Sequence, residues 1–300
     1  MQTKLAETAG FCFGVDRAVA LVEQAVREGK RVATLGPIIH NRHVIERFKT
    51  LGVREIAAPE AAAAGECVVI RSHGVSRAVM EALEKMGVEI VDATCPFVKK
   101  IHRIISAAAE NGQQPVIIGT RAHPEVQAIA GWCSAPLVFE SPEEFASWLA
   151  DDAKRTEIPI RMVCQTTSTQ NLWKKTCEIA KKECTNCEIF DTICKATEMR
   201  QKEATALAKQ CDAMVVVGDA RSSNTGRLAD ICRQYCKHVA LVDSAAELDM
   251  LLLSNAKTVG ITAGASTPAW IIKEVNNKMS EEMKVETAME ENFAELLEQS

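Results

Sequence analysis

The chain has 300 residues, more than one small core needs, and its 47% hydrophobic and 25% charged residues are those of a folded globular protein rather than a disordered one. A formal net charge of −5 leaves no basic footprint for nucleic acid, no apolar run approaches the roughly 20 residues that cross a bilayer, and the first fourteen residues hold no apolar signal core. A cytoplasmic location is expected, where thiols stay reduced, so twelve cysteines point to metal or redox chemistry and away from disulfides.

The first predicted element is a helix after Cys12, in FCFGVDRAVALVEQAVREGKRVATLGPIIHN from Phe11, where Val15, Ala18, Val19, Val22 and Val26 share one face. An apolar strand follows at Val32–Leu35, ends at Gly36, and His40 stands four residues further on. A second strand and turn, CVVIRSHGVS over 67–76, carries His73. The pattern then restarts at Thr94 with TCPFVKKIHRIISAAAENGQQPVIIGTRAHPE. It holds Cys95, a helix with Val98, Ile101, Ile105 and Ala108 on one face, a strand at Val116–Ile118, Gly119 and His123, followed by IRMVCQTTST over 160–169. From Ile193 it restarts once more as ICKATEMRQKEATALAKQCDAMVVVGDARSSN, with Cys194, a strand at Met214–Val217, Gly218 and Ser222, then KTVGITAGASTP over 257–268.

The cysteine-to-glycine distance is 24 residues in all three copies, and a His or Ser follows the glycine at the same offset, so the three segments form one repeat. Apolar strands alternating with helices predict small, mainly parallel sheets with right-handed crossovers. The expected fold is therefore α/β: three similar domains, 1–95, 96–190 and 191–279, around a pseudo-threefold axis. Residues 280–300, with seven glutamates to one lysine, are expected as an acidic tail or linker. In such sheets ligands gather at the carboxyl ends of strands, so the six loops, two per repeat, are expected to face one point.

Like units around an axis bring equivalent residues together, here Cys12, Cys95 and Cys194. Three thiolates suit a [4Fe–4S] cluster with one iron left open to act as a Lewis acid. The rival is local: Cys177, Cys184, Cys187 and Cys194 read C-x6-C-x2-C-x6-C, which could hold zinc or a cluster by itself but leaves Cys12 and Cys95 unexplained. Cys184 and Cys187 also form a C-x-x-C pair, without a thioredoxin-like context. Cys67, Cys133, Cys164, Cys211, Cys232 and Cys236 are expected in cores.

His40, His73 and His123 end three loops, while Ser222, Ser223, Asn224 and Ser266 end two others. One histidine alone would read as structural, as His43, His102 and His238 do; three at equivalent loop positions, with hydroxyls and an amide, suit an anion such as a phosphate. Ser222 to Asn224 also precede a helix, whose start attracts anions, although an N-cap would account for one of them. Glu125, in AHPEV, is a carboxylate in a site loop and a candidate proton donor, with Thr166 as relay; from its chemistry alone, a surface acid at a helix start is an equal reading.

With these residues the sequence resembles the LytB family of 4-hydroxy-3-methylbut-2-enyl diphosphate reductases. GFCFGVDRAV, HNRHV, SHGVS, DATCPFV, HPEV, QTTST, SSN and TAGASTP match that family's motifs in its order, over about residues 5 to 275. The resemblance implies a three-lobed fold around a [4Fe–4S] cluster held by Cys12, Cys95 and Cys194. It implies a reductive dehydroxylation giving isopentenyl and dimethylallyl diphosphates, the last step of the methylerythritol phosphate pathway. By the same resemblance, His40, His73, Ser222, Ser223, Asn224 and Ser266 hold the diphosphate of the small substrate. His123 and Thr166 bind near its hydroxyl end, and Glu125 supplies the proton. A ferredoxin or flavodoxin as electron donor, a monomer, and no membrane or nucleic acid partner are expected. Phe13, beside Cys12, replaces a smaller residue common in the family, and Lys195 follows Cys194. Two other readings are a quinolinate synthase-like enzyme, which also joins three domains at a three-cysteine cluster, and a non-enzymatic iron–sulfur sensor.

Overall fold

The computed structural model describes residues 2–281. The chain enters as β1 (Gln2–Leu5) and α1 (Phe13–Arg27), then runs through β2 (Arg31–Leu35), α2 (Arg42–Thr50), β3 (Arg54–Ile56), β4 (Glu66–Ile70), α3 (Arg77–Met86) and β5 (Glu89–Asp92). The same sequence of elements follows: α4 (Pro96–Glu110), β6 (Gln114–Ile118), α5 (Pro124–Ala130), β7 (Leu137–Phe139), α6 (Pro142–Ala150), β8 (Ile160–Cys164), α7 (Gln170–Glu183) and β9 (Cys187–Ile189). The last round comprises α8 (Lys195–Ala208), β10 (Ala213–Val217), α9 (Ser223–Tyr235), β11 (His238–Val242) and β12 (Thr258–Ala263), with a helical stretch over 269–281. Beyond residue 281 the acidic stretch expected at 280–300 lies outside the described residues.

Three four-stranded sheets result, ordered β3-β2-β4-β5, β7-β6-β8-β9 and β11-β10-β12-β1, with every pairing parallel. One compact unit, Cys12–Glu198, holds the first two sheets; the other combines Met1–Phe11 with the chain from Met199 and holds the third. Among the described residues no helix is long and apolar enough to cross a membrane.

The N-terminal strand departs from the sequence reading, which placed it in a first repeat of residues 1–95. β1 pairs with β12, from Gln2 opposite Thr258 to Leu5 opposite Ile261. It takes the place beside β12 that β5 takes beside β4 and β9 beside β8. The strand that leads into each cysteine thus belongs to the sheet of the preceding repeat.

Central strands are apolar because both faces are covered: every residue of β4 and β10 is buried. In α4 the expected Val98, Ile101, Ile105 and Ala108 are all buried. In α1 the buried face is Gly14, Ala18, Val19, Val22 and Ala25, so Gly14 and Ala25 take the places expected for Val15 and Val26. The i, i+3, i+4, i+7 stripe, running from Ala18 to Ala25, decides between Ala25 and Val26.

Candidate active site

Cys12 and Cys95 are the N-cap residues of α1 and α4. Cys194 immediately precedes α8, and its carbonyl accepts N–H bonds from Thr197 at 2.8 Å and Glu198 at 3.0 Å. All three therefore stand at helix starts, where unpaired N–H groups favour a thiolate. The Cys95 thiol is nevertheless pushed up to about 11, first by burial; the N–H groups of Phe97 and Val98 oppose this, while Cys12 and Cys194 add to it. Cys194 is raised for the same first reason, opposed by the N–H groups of Ala196 and Thr197, with Cys12 and Glu125 adding. Cys12 thus acts on both Cys95 and Cys194, and a bound cation would compensate the charge that burial disfavours at these two thiols.

Gly14 makes the approach of α1 to Cys95 possible: a Cβ at Gly14 would lie 2.6 Å from the Cys95 sulfur. The three sulfurs do not gather around a single ion. Among the described residues only His40, His73 and His123 bring ligand atoms within 4.8 Å of one another. Three half-buried free thiols, with Cys12 acting on both Cys95 and Cys194, suit a multi-iron cluster, whose cysteines attach to different irons. The local four-cysteine rival divides instead. Cys177, Cys184 and Cys187 pack against the apolar core of the second sheet, and the Cys187 thiol is pushed to about 12 by burial and then by Cys184 and Cys177.

The polar loops start where the strands end. His40 follows β2, His73 follows β4 and His123 follows β6, and their ring centroids lie 4.7, 5.4 and 5.9 Å apart. Burial holds the His73 imidazole well below its ordinary value, with His40, His123 and Arg71 acting in the same direction. His123 caps α5, and its Nδ1 accepts the Glu125 N–H at 3.2 Å. Nδ1 as acceptor leaves Nε2 to carry the proton of a neutral ring.

Glu125, which the sequence left between a surface acid and a proton donor, is 2% exposed. Its carboxylate accepts the Thr166 N–H at 2.6 Å and the Thr166 hydroxyl at 2.7 Å. The Thr166 carbonyl accepts the Cys194 N–H at 3.0 Å, and the Ser72 carbonyl, next to His73, accepts the Cys95 N–H at 3.0 Å. Backbone bonds thus tie two of the cysteines to the loops of Thr166 and His73. Sequence reasoning missed this support and the role of Gly14; a glycine in the first turn of a helix, where it is a poor helix former, was the available signal.

In the other unit Ser222 caps α9, accepting the Thr225 N–H at 3.4 Å, and Ser223 opens the helix. Ser222, Asn224 and Ser266 are buried. Neither the amide nitrogen nor the amide oxygen of Asn224 meets a hydrogen-bonding partner among the described residues. A buried polar group left so costs about 1–3 kcal/mol, which a bound polar ligand or water recovers.

The family model described as LytB protein matches residues 3–280. The chain belongs to the LytB family. It is 40% identical over 283 residues to the 4-hydroxy-3-methylbut-2-enyl diphosphate reductase of Caldanaerobacter subterraneus subsp. tengcongensis, covering 93% of this chain and 96% of that one. The reductase of Geobacter sulfurreducens is 38% identical, covering 94% of this chain and 98% of that one. A solved LytB-type structure, described as the (E)-4-hydroxy-3-methyl-but-2-enyl diphosphate reductase and terminal enzyme of the non-mevalonate pathway, shares 36% identity with a TM-score of 0.68. It covers 94% of this chain and all of that one. The Plasmodium falciparum reductase superposes with a TM-score of 0.83 at 24% identity over 92% of this chain and 87% of that one, and shows the fold. The three small parallel sheets with their helices are those of the LytB reductases.

Proposed function

We propose that this LytB-family chain reduces 4-hydroxy-3-methylbut-2-enyl diphosphate to isopentenyl and dimethylallyl diphosphates. The reaction consumes two electrons and two protons and releases the hydroxyl as water. The observation that carries the reading is the buried Glu125–Thr166 pair, tied through the Thr166 carbonyl to Cys194, in the unit that also holds Cys12, Cys95 and the three histidines. A carboxyl, a hydroxyl and three thiols in one place are what a proton-coupled C–O cleavage needs.

Cys12, Cys95 and Cys194 would hold a [4Fe–4S] cluster, which when bound supplies the electrons and a Lewis-acidic iron. The remaining steps belong to the chain's own side chains. Glu125 holds the proton, buried where its exchange with water is restricted, and the Thr166 hydroxyl passes it to the departing oxygen while His123 orients the hydroxyl end. His40 and His73 donate to the diphosphate oxygens, and Ser222, Ser223, Asn224 and Ser266 are assigned to the same group. The unpartnered amide of Asn224 and the helix start at Ser223 support that assignment. A second reading follows from the histidines alone, since their ligand atoms lie close enough to share a divalent ion. Metal analysis before and after chelation separates the two: zinc in equimolar amount, lost together with activity, would favour the ion.

The decisive experiment is anaerobic reconstitution with iron and sulfide, chemical reduction, and assay with the diphosphate substrate. Cys12→Ser, Cys95→Ser and Cys194→Ser should each lower bound iron and abolish turnover, whereas Cys184→Ser should keep both. Iron lost with Cys184 and kept without Cys12 would reverse the assignment.

A further inference from the structure

We propose that the exposed first turns of α1 and α4 form a docking surface for an acidic one-electron carrier protein. The inference rests on the reading that Cys12 and Cys95 hold the cluster and that its electrons arrive from another protein.

Phe13 is the first residue of α1, directly after Cys12, and is 64% exposed; Phe97 is the second residue of α4, two after Cys95, and is 48% exposed. Neither ring contributes to a core, and neither position asks for an aromatic residue: the first turn of a helix favours small capping residues, proline and acids. Aromatic residues make up only 4% of the chain, so two in water beside two cysteines of the site call for a reason outside the folded monomer. The two helix starts are neighbours, because Gly14 lies against the Cys95 side chain.

Charge identifies the kind of partner. In the segments 12–17, 95–100 and 194–198, all within one compact unit, stand Arg17, Lys99, Lys100 and Lys195 against the carboxylates of Asp16 and Glu198. Lys99 pairs with Asp92 at 2.6 Å, whereas Lys100 and Lys195 are exposed and make no ion pair with any described residue. The chain as a whole is acidic, with 40 acidic to 35 basic side chains, so this neighbourhood is positive against the general trend. A local field of this sign steers an acidic partner and repels other basic surfaces. Aromatic anchors within a charged rim make a small, short-lived interface of the kind electron carriers use. The surface also fits the chemistry: each encounter delivers one electron, two encounters complete one reduction, and the rings adjoin the residues that bear the ligating sulfurs.

The experiment compares three proteins: the parent, Phe13→Ala/Phe97→Ala, and Lys100→Glu/Lys195→Glu. Binding of an oxidised ferredoxin and of an oxidised flavodoxin to the cluster-loaded protein is measured by calorimetry at low and high salt. Turnover is then driven either by the reduced carrier or by dithionite. The parent should bind at least one carrier, more weakly as salt rises. Both double variants should weaken that binding at least tenfold and lower carrier-driven kcat/KM by a similar factor, with dithionite-driven turnover and iron content unchanged. Parental binding by both double variants, or no binding of either carrier by the parent, would overturn the surface. A parent that fails to convert substrate with dithionite would instead sink the reductase reading, so the two failures are distinguishable.

Discussion

Glu125 and His102 are two buried ionisable residues with opposite tasks. The Glu125 carboxylate accepts the Thr166 hydroxyl at 2.7 Å, and in the proposed reaction that hydroxyl relays its proton. Replacing it with glutamine keeps shape and removes the acidic proton, so Glu125→Gln should retain iron and bind substrate while turnover falls about 10²–10⁴-fold, the usual worth of a general acid. Single-turnover kinetics of the reduced variant check this, and near-parental rates would hand the proton to His123. His102 lies under the site: its ring stacks on Trp132 with centroids 5.0 Å apart and packs against Gly74, where a Cβ would sit 2.8 Å from Cε1. Burial, the largest influence, pushes its imidazole down to about 4. The folded protein therefore keeps His102 neutral at a pH where the unfolded chain, near 6.5, already takes up a proton. This contribution to stability is complete above about pH 6.5 and is lost as pH falls toward 4, an effect on the order of 3 kcal/mol for one such group. Denaturant unfolding of the cluster-free protein at pH 7 and 4.5 should show a smaller loss in His102→Gln than in the parent. Equal losses would remove His102 as a cause. The sequence showed the Glu125 candidate but left it balanced between two readings, since nothing in AHPEV reveals that Thr166, 41 residues further on, binds its carboxylate.

At the scale of elements, the site depends on helix starts rather than on helix bodies. Each cysteine precedes the first turn of its helix, and the strand before it is β1, β5 or β9. This explains what was legible. The 24-residue spacing from cysteine to glycine is one helix and one central strand, and both have strong patterns, so those elements were readable. The outer strands were not: β3, β7 and β9 have three residues each, too few for any periodicity to be seen. Nor did pattern alone predict that two helix starts must nearly touch, which is the task of Gly14. Gly14→Ala should leave the sheets intact by circular dichroism, because alanine suits a helix better. Its methyl group would meet the Cys95 sulfur at 2.6 Å, however, and displace it. Iron content after reconstitution should fall at least severalfold; full iron loading would show that the contact relaxes without consequence.

At the scale of the molecule, the three sheets share one order, yet only two are built from consecutive chain. The third is completed by β1, in parallel register with β12 across more than 250 residues of sequence. A segment translated before all the other described strands is therefore among the last able to find its place. A ribosome-bound chain can close the sheets of β2 to β5 and of β6 to β9 as each emerges, while residues 2–5 wait for β12. The connectivity also shows a remedy. α3 leads from β4 to β5 and α7 from β8 to β9; the helical stretch over 269–281 follows β12 in the same way, and β1 is what would come next. A circular permutant that starts at Asp191 and joins residue 281 to residue 2 by a short linker makes that pairing local. Stopped-flow refolding of the cluster-free permutant should be faster than that of the parent, with little change in unfolding rate, because only the cost of closing the long loop has been removed. Equal refolding rates would mean that β1 docks after the rate-limiting step, and that the order of synthesis costs this fold nothing.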